Sequence, residues 1–148
     1  MRVKTRKTRK NKKLRKQKGG MEIEYPSFIV NNSITTVKNT IVVPKITLSA
    51  LKLSTLIMYD PNAIKPSYIH YLITNIPNGD ISKGDTIFSY AGPSPPPNTG
   101  DHHYIFTQFE QMKPYSTSIQ DRSSFDINAY IQQYNLVSRV KKQFIVKS

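Results

Sequence analysis

Tyr90-Ala91-Gly92-Pro93-Ser94-Pro95-Pro96-Pro97-Asn98-Thr99-Gly100-Asp101-His102-His103-Tyr104 is the stretch around which the chain is organised. Pro93, Pro95, Pro96 and Pro97 fix φ and remove backbone donors, so this loop is neither helix nor central strand. It passes through Gly100 into Asp101–Phe109, which reads as a strand. In a strand, His102 and Tyr104 share one face and His103 takes the other. A stiff loop that delivers two polar rings into a strand suits the wall of a binding site. A proline-rich turn that only joins two strands accounts for the same residues, and both readings stay open here.

The segments on either side read as β structure. Phe28-Ile29-Val30 and Ile41-Val42-Val43 are short apolar runs, ended by an Asn-Asn-Ser turn and by Pro44. Ile46, Leu48 and Ala50 alternate with Thr47 and Ser49, the pattern of a half-buried strand. Leu53–Tyr59 is nearly all apolar, which predicts a central strand buried on both faces. Asp60-Pro61-Asn62-Ala63 is a turn signal. Tyr68–Ile76 reads as the next strand, and Ile87-Phe88 leads into the proline loop. After the polar connection 114–124, Phe125, Tyr130, Ile131 and Tyr134 recur at helical spacing. They predict a helix over about 126–134 with Ser124 or Asp126 as N-cap. Phe144-Ile145-Val146 reads as a last short strand. The expected fold is therefore mainly β, an antiparallel β-sandwich with one short helix near the C-terminus.

The chain has 148 residues, enough for one core, and no cysteine, so no disulfide framework or thiolate chemistry is available. No apolar run is long enough to span a bilayer, and no secretory h-region is present; the expectation is a cytoplasmic protein. Charge is unevenly placed. Residues 1–20 hold 11 of the 22 Lys/Arg and none of the 9 acids, so residues 21–148 carry a net of only +2. Residues 1–20 have too few apolar side chains to offset the entropy of ordering and are expected to form a disordered basic tail, with Gly19-Gly20 as a hinge before the domain 21–148. The tail reads as a solvating arm, as a nuclear-localisation-like address, or, through residues 2–18, as an arm for a polyanion such as an anionic membrane or nucleic acid. It contains no aromatic residue for base stacking.

The candidate polar chemistry lies in His70, His102, His103 and Asp60. Asp60 ends a strand and His70 follows ten residues later, so a hairpin sets both at one end of the sheet. A carboxylate there would hold one nitrogen of His70 as a donor and raise its pKa. Two histidines turned toward one cavity would bind an anion such as phosphate; three unrelated surface histidines are the alternative. A closed zinc site needs more ligands than the two histidines that converge readily, so no metal is expected. Without a cysteine, a Gly-x-Ser-x-Gly elbow or a Gly-rich loop followed by Lys-Ser/Thr, the residues point to no enzyme and no cofactor.

Two blocks carry a family resemblance. Asp60-Pro61-Asn62-Ala63, Tyr68-Ile69-His70-Tyr71-Leu72, Asn75 and Gly79-Asp80-Ile81-Ser82-Lys83-Gly84 resemble the first signature of the phosphatidylethanolamine-binding protein family, which includes the Raf-kinase inhibitor proteins. Pro95-Pro96, Thr99-Gly100, His102, Tyr104 and Glu110-Gln111 resemble the second. The likeness covers about residues 40–140. It implies a sandwich of two antiparallel sheets with a small preformed anion pocket, in which Asp60, His70 and His102 form the polar centre. Tyr104 and Pro96 would be its walls, with Pro61, Tyr68, Gly92 and Pro95 as further ligand-binding positions. Tyr68 stands where the family usually has tryptophan. Asn62 replaces a second aspartate, Ile64 a proline, Ser94 a frequent glycine, His103 the arginine of the second signature and Ile69 a common second histidine. The C-terminal helix that closes the pocket in animal members has no counterpart here, which implies a more open pocket. Leaders rich in Lys, Arg and Thr that end in Gly-Gly also resemble those of some large DNA virus proteins, a likeness that would place the protein in a virion.

The expected function is a non-enzymatic binding module. Its pocket takes a phospholipid head group or small phosphorylated ligand, and its arm takes a polyanion. The alternatives are a regulatory module with a signalling protein such as a kinase as partner, and a nucleic-acid-associated packaging protein.

Overall fold

A computed structural model describes residues 20–63, 67–123 and 125–148. The basic segment 1–19, Ile64 and the alternative N-cap Ser124 lie outside the described residues, and with them the expectations of a disordered arm and of a hinge at Gly19.

The strands are β1 (Glu22–Tyr25), β2 (Phe28–Ile29), β3 (Ser33–Thr35), β4 (Lys45–Thr47), β5 (Leu53–Asp60), β6 (Tyr68–Pro77), β7 (Asp85–Phe88), β8 (Asp101–Glu110) and β9 (Val137–Lys147). They form a small sheet of order β2-β1-β4 and a large one of order β3-β9-β8-β5-β6-β7. Every residue of β5 after Leu53 is buried, and successive side chains go to opposite faces. Leu56 and Met58 face the small sheet, where they join Ile23, Tyr25, Tyr104, Phe106 and Phe144. Ile57 and Tyr59 face the opposite way, against Phe125, Tyr130 and Leu136 of the late connection and its helix. The continuous apolar run 53–59 thus exists because both faces of β5 are covered.

The helix, α1 (Ile127–Gln133), begins where expected. The Asp126 side chain accepts a hydrogen bond from the Ala129 amide at 3.1 Å and satisfies one of the first-turn donors. Asn135, at φ +52°, ends it.

Four expectations are corrected. The sheets are not wholly antiparallel: β3 pairs with β9 in parallel, Ile34 opposite Ile145, after Asn32 at φ +54° turns the chain and donates its amide to the Gln143 carbonyl. β9 spans eleven residues rather than three. Its first half is an edge with exposed Ser138, Arg139 and Lys141, so charge hides a strand that β8 pairs along its whole length. The strand expected to run to Ala50 stops at Thr47. Ile41-Val42-Val43 is no strand; it follows a short 3-10 turn (Lys38–Thr40) and is exposed.

Two irregularities of β6 matter for the site. Tyr59 pairs with Ile69 and Met58 with Tyr71, which leaves His70 as the extra residue of a bulge. The bulge puts His70 and Tyr71 on the same face, with His70 at the sheet end where β8 begins. Farther along, Asn75 (φ +54°) is the extra residue of a second bulge. Its freed amide donates to Gln111 Oε1 at 2.8 Å, and Gln111 Nε2 returns a bond to Asn75 Oδ1 at 2.9 Å, so a side chain replaces the lost ladder bond.

Candidate anion site

At the end of the large sheet where β5 finishes and β8 begins, a cavity of about 470 Å³ opens beside the proline loop. That is within the size range of small-molecule sites. Asp60, Tyr68, His70, Gly92, Pro95, Pro96, His102 and Tyr104, named above as candidate ligand-binding positions, all line it. Pro61 does not: it is exposed in the turn after Asp60. Ala63, Ala91, Ser94 and Ser123 complete the wall.

Alternation on β8 points His102 and Tyr104 inward. The two rings stack with centroids 6.4 Å apart, and Tyr104 stacks in turn on Phe144 at 5.4 Å, its register partner on β9. His70 meets the edge of the Tyr104 ring at 5.1 Å and that of Tyr68 at 4.8 Å. The result is an aromatic box with a polar floor. His103 takes the other face, as expected; its amide and ring Nδ1 bond Asn62 Oδ1 at 2.9 and 3.0 Å.

The partner of Asp60 is not the expected one. Asp60 Oδ2 lies 2.7 Å from His102 Nδ1, with both side chains at 5% exposure or less. His70 Nδ1 instead donates to the Ala91 carbonyl at 2.6 Å. Sequence separation favoured the hairpin neighbour; the pairing of β5 with β8, forty-odd residues on, brings in His102 instead. Asp60 Oδ1 also accepts the Asn62 amide at 2.8 Å, so each oxygen of the buried carboxylate has a donor.

His102 makes a second hydrogen bond through its other ring nitrogen. Its Nε2 is 2.7 Å from Thr99 Oγ1. The single hydroxyl proton of Thr99 goes to the Pro96 carbonyl at 2.7 Å, so Thr99 accepts from Nε2–H. Nδ1–H donates to the Asp60 carboxylate. Both ring nitrogens of His102 thus face acceptors, Thr99 Oγ1 and the Asp60 carboxylate, an arrangement that suits the imidazolium with Asp60 balancing its charge.

His70 differs. Burial, the largest cause, lowers its pKa below the usual histidine range, although the Ala91 bond and the Asp60 charge oppose this. This reverses the expected direction. With Nδ1–H committed to Ala91, Nε2 has no protein partner among the described residues and remains open to the cavity as an acceptor at neutral pH. The Tyr104 hydroxyl likewise has no partner among the described residues, and burial holds its pKa well above the ordinary phenol value, so it stays a donor. The cavity therefore offers a phenol donor, a neutral imidazole acceptor and, behind Thr99, an imidazolium donor.

Two residues outside the expected set shape the site. Arg122 donates to the Ile69 and His70 carbonyls at 3.3 and 3.2 Å and to the Ser89 carbonyl at 2.7 Å, over the Phe88 ring. It pins the His70 bulge to the end of β7. Its sequence signal was its position, the one cation between Lys113 and Arg139 in a polar connection. Thr99 was visible in the second block but had no role until its distance to His102 was known. Among the described residues no group of three metal-ligating side chains converges.

The comparisons agree with this architecture. A family model described as phosphatidylethanolamine-binding protein matches residues 20–146. Protein BROTHER of FT and TFL 1 of Arabidopsis thaliana is 35% identical over 91 residues, 55% of this chain and 50% of that protein. The chain spans half or less of the length of the curated relatives it matches. Among solved structures, a chain from the crystal structure of carboxypeptidase Y inhibitor complexed with the cognate proteinase superposes with a TM-score of 0.76 at 18% identity, over 86% of this chain and 82% of that one. The phosphatidylethanolamine-binding protein of Plasmodium falciparum gives 0.66 at 19%, over 85% and 83%. At such identities the structural likeness concerns the fold. With the family model matched from Gly20 to Val146, the chain belongs to the phosphatidylethanolamine-binding protein family, whose members bind ligands and modulate other proteins.

Proposed function

We propose that the protein is a non-enzymatic binding module whose His70–His102–Tyr104 cavity takes the phosphate of a phospholipid head group or of another small phosphorylated ligand. The observation that carries this reading is a pair of polar atoms in the cavity, Tyr104 Oη and His70 Nε2, that have no hydrogen-bond partner among the described residues, set beside a buried His102–Asp60 pair. In either ligand an unprotonated phosphate oxygen accepts from Tyr104; a phosphomonoester monoanion also donates its P–OH to His70 Nε2, whereas a phosphodiester head group, which has no P–OH, leaves His70 Nε2 to another donor of the ligand. An oxygen that displaces the Thr99 hydroxyl would accept a charge-assisted bond from His102 Nε2–H. The aromatic walls exclude water and strengthen each bond.

Isothermal titration of the full chain with phosphoethanolamine, in wild type and in Tyr104→Phe, tests the reading. Tyr104→Phe keeps the ring stack and deletes only the donor, so affinity should fall about tenfold to 150-fold, the equivalent of one hydrogen bond to a charged group. Equal affinity in both proteins would sink the proposal. The basic segment 2–18 is proposed as a second, salt-sensitive contact for polyanions; a kinase-modulating or nucleic-acid-packaging protein would instead bind its partner regardless of Tyr104.

A further inference from the structure

The turn next to the cavity carries an apolar surface that the anion site does not use. Ile41, Val42 and Val43 are consecutive and are 63%, 57% and 49% exposed, with Val37 at 40% one turn earlier. Single exposed aliphatics are ordinary, but a run of three at the tip of one turn is not. The turn is also held firmly. Thr40, fully buried, donates its hydroxyl to the Val37 carbonyl at 3.0 Å, and its own carbonyl accepts from Tyr90 Oη at 2.7 Å. Tyr90 in turn shares a 2.7 Å hydroxyl bond with Tyr25 in the core. Gly92, which lines the cavity, packs so closely on this turn that a methyl group there would lie 2.9 Å from the Thr40 oxygen and 3.5 Å from the Ile41 Cα.

We propose that Ile41-Val42-Val43 is a membrane-docking tip that inserts into the interface of an anionic lipid bilayer and sets the cavity against the head-group layer. Charge selects this occupant. Lys38 lies inside the turn and Lys45 just beyond it, both exposed, and the sequence holds no acid between Glu24 and Asp60. Glu24 stands opposite Lys45 in register, which leaves Lys38 as the cation unopposed in the turn itself. The residues 1–20 add 11 further Lys/Arg. Aliphatic side chains flanked by lysine suit a surface that is apolar below and anionic above. A second copy of the chain would bring together two surfaces of a protein with net charge +13. The tip also lacks the aromatic and arginine anchors that concentrate binding energy at protein interfaces.

The proposal rests on the anion-site reading only for what the cavity does once docked. The chain has no native cysteine, so Val42→Cys takes a single environment-sensitive fluorophore on the full-length protein. Met112→Cys, 61% exposed just beyond the far end of β8, is the control. With phosphatidylcholine–phosphatidylserine vesicles, the probe at 42 should shift to shorter wavelength and be quenched by brominated acyl chains, and the probe at 112 should not. Ile41→Ser/Val42→Ser/Val43→Ser should lower vesicle partitioning at least about tenfold. Co-sedimentation without a shift at 42 would mean that the basic segment alone holds the protein, and would overturn the proposal. So would equal shifts at both positions, or capture of the tip only by another protein. Titration of the same labelled protein with inorganic phosphate separates the two ideas. Insertion without phosphate binding leaves the tip standing and the anion site refuted; phosphate binding without insertion does the reverse.

Discussion

Replacing Thr99 by valine should weaken the free protein and strengthen its hold on phosphate, two effects of opposite sign from one substitution. In the free protein the Thr99 hydroxyl occupies the place at His102 Nε2 that a ligand oxygen would take, 2.7 Å from the nitrogen. Valine has nearly the same shape but cannot accept. The Nε2–H of a histidine that is 1% exposed then loses its partner, at a cost of about 1–3 kcal/mol in folding stability. A phosphate entering wild type must first break that charge-assisted bond, whereas in Thr99→Val there is nothing to break. The difference should appear as about 1–2 kcal/mol of binding free energy, or roughly fivefold to thirtyfold in affinity. Thr99→Ser keeps the hydroxyl and should resemble wild type in both respects. Urea denaturation without ligand gives the first quantity, and isothermal titration with inorganic phosphate at constant ionic strength gives the second. If Thr99 served only to brace the proline loop through its bond to the Pro96 carbonyl, stability and affinity would fall together. That result, in a folded Thr99→Val protein, would refute the assignment of Thr99 as an internal competitor.

The remaining expectations concern pH and packing. The pKa of His70 is lowered in the folded protein, so between that value and about 6.5 the unfolded chain binds more protons; the ligand-free protein should lose stability as pH falls below about 6.5. Phosphate affinity should rise over the same interval, because a protonated His70 becomes a donor, and calorimetry in buffers of different ionisation enthalpy should reveal proton uptake on binding. Asp60→Ala leaves the His102 cation buried and unpaired and should cost about 3–5 kcal/mol, measured by chemical denaturation. Gly92→Ala forces a methyl group to 2.9 Å from the Thr40 carbonyl oxygen and should cost about 1–3 kcal/mol through displacement of the adjoining turn.

What the sequence disclosed depended on whether the signal was local. β5 was legible because burial on both faces requires an uninterrupted apolar run, and α1 because Asp126 and the helical spacing of Tyr130 and Ile131 are short-range features. β9 was legible only at Phe144–Val146, where it is covered; its edge half reads as a charged loop. Ile41–Val43 misled for the converse reason, an apolar run left half exposed in a turn. In the site, the alternation of His102, His103 and Tyr104 was readable residue by residue. The Asp60–His102 pair was not, because it needs the register of β5 against β8, and the aim of His70 was not, because a bulge leaves no mark in composition. Arg122 acts through carbonyls, which every residue possesses, so no side-chain motif announces its targets.

The most direct test of the anion site is a titration of the isotopically labelled full chain with inorganic phosphate at about pH 6.5, near the reference histidine pKa, followed through the side-chain nitrogens of all three histidines. His103, turned to the opposite face and bonded to Asn62, is the internal control. The expected result is that the His70 and His102 resonances move together with one dissociation constant while those of His103 stay fixed. Equal movement of all three, or none at His70 and His102, would contradict a shared anion site.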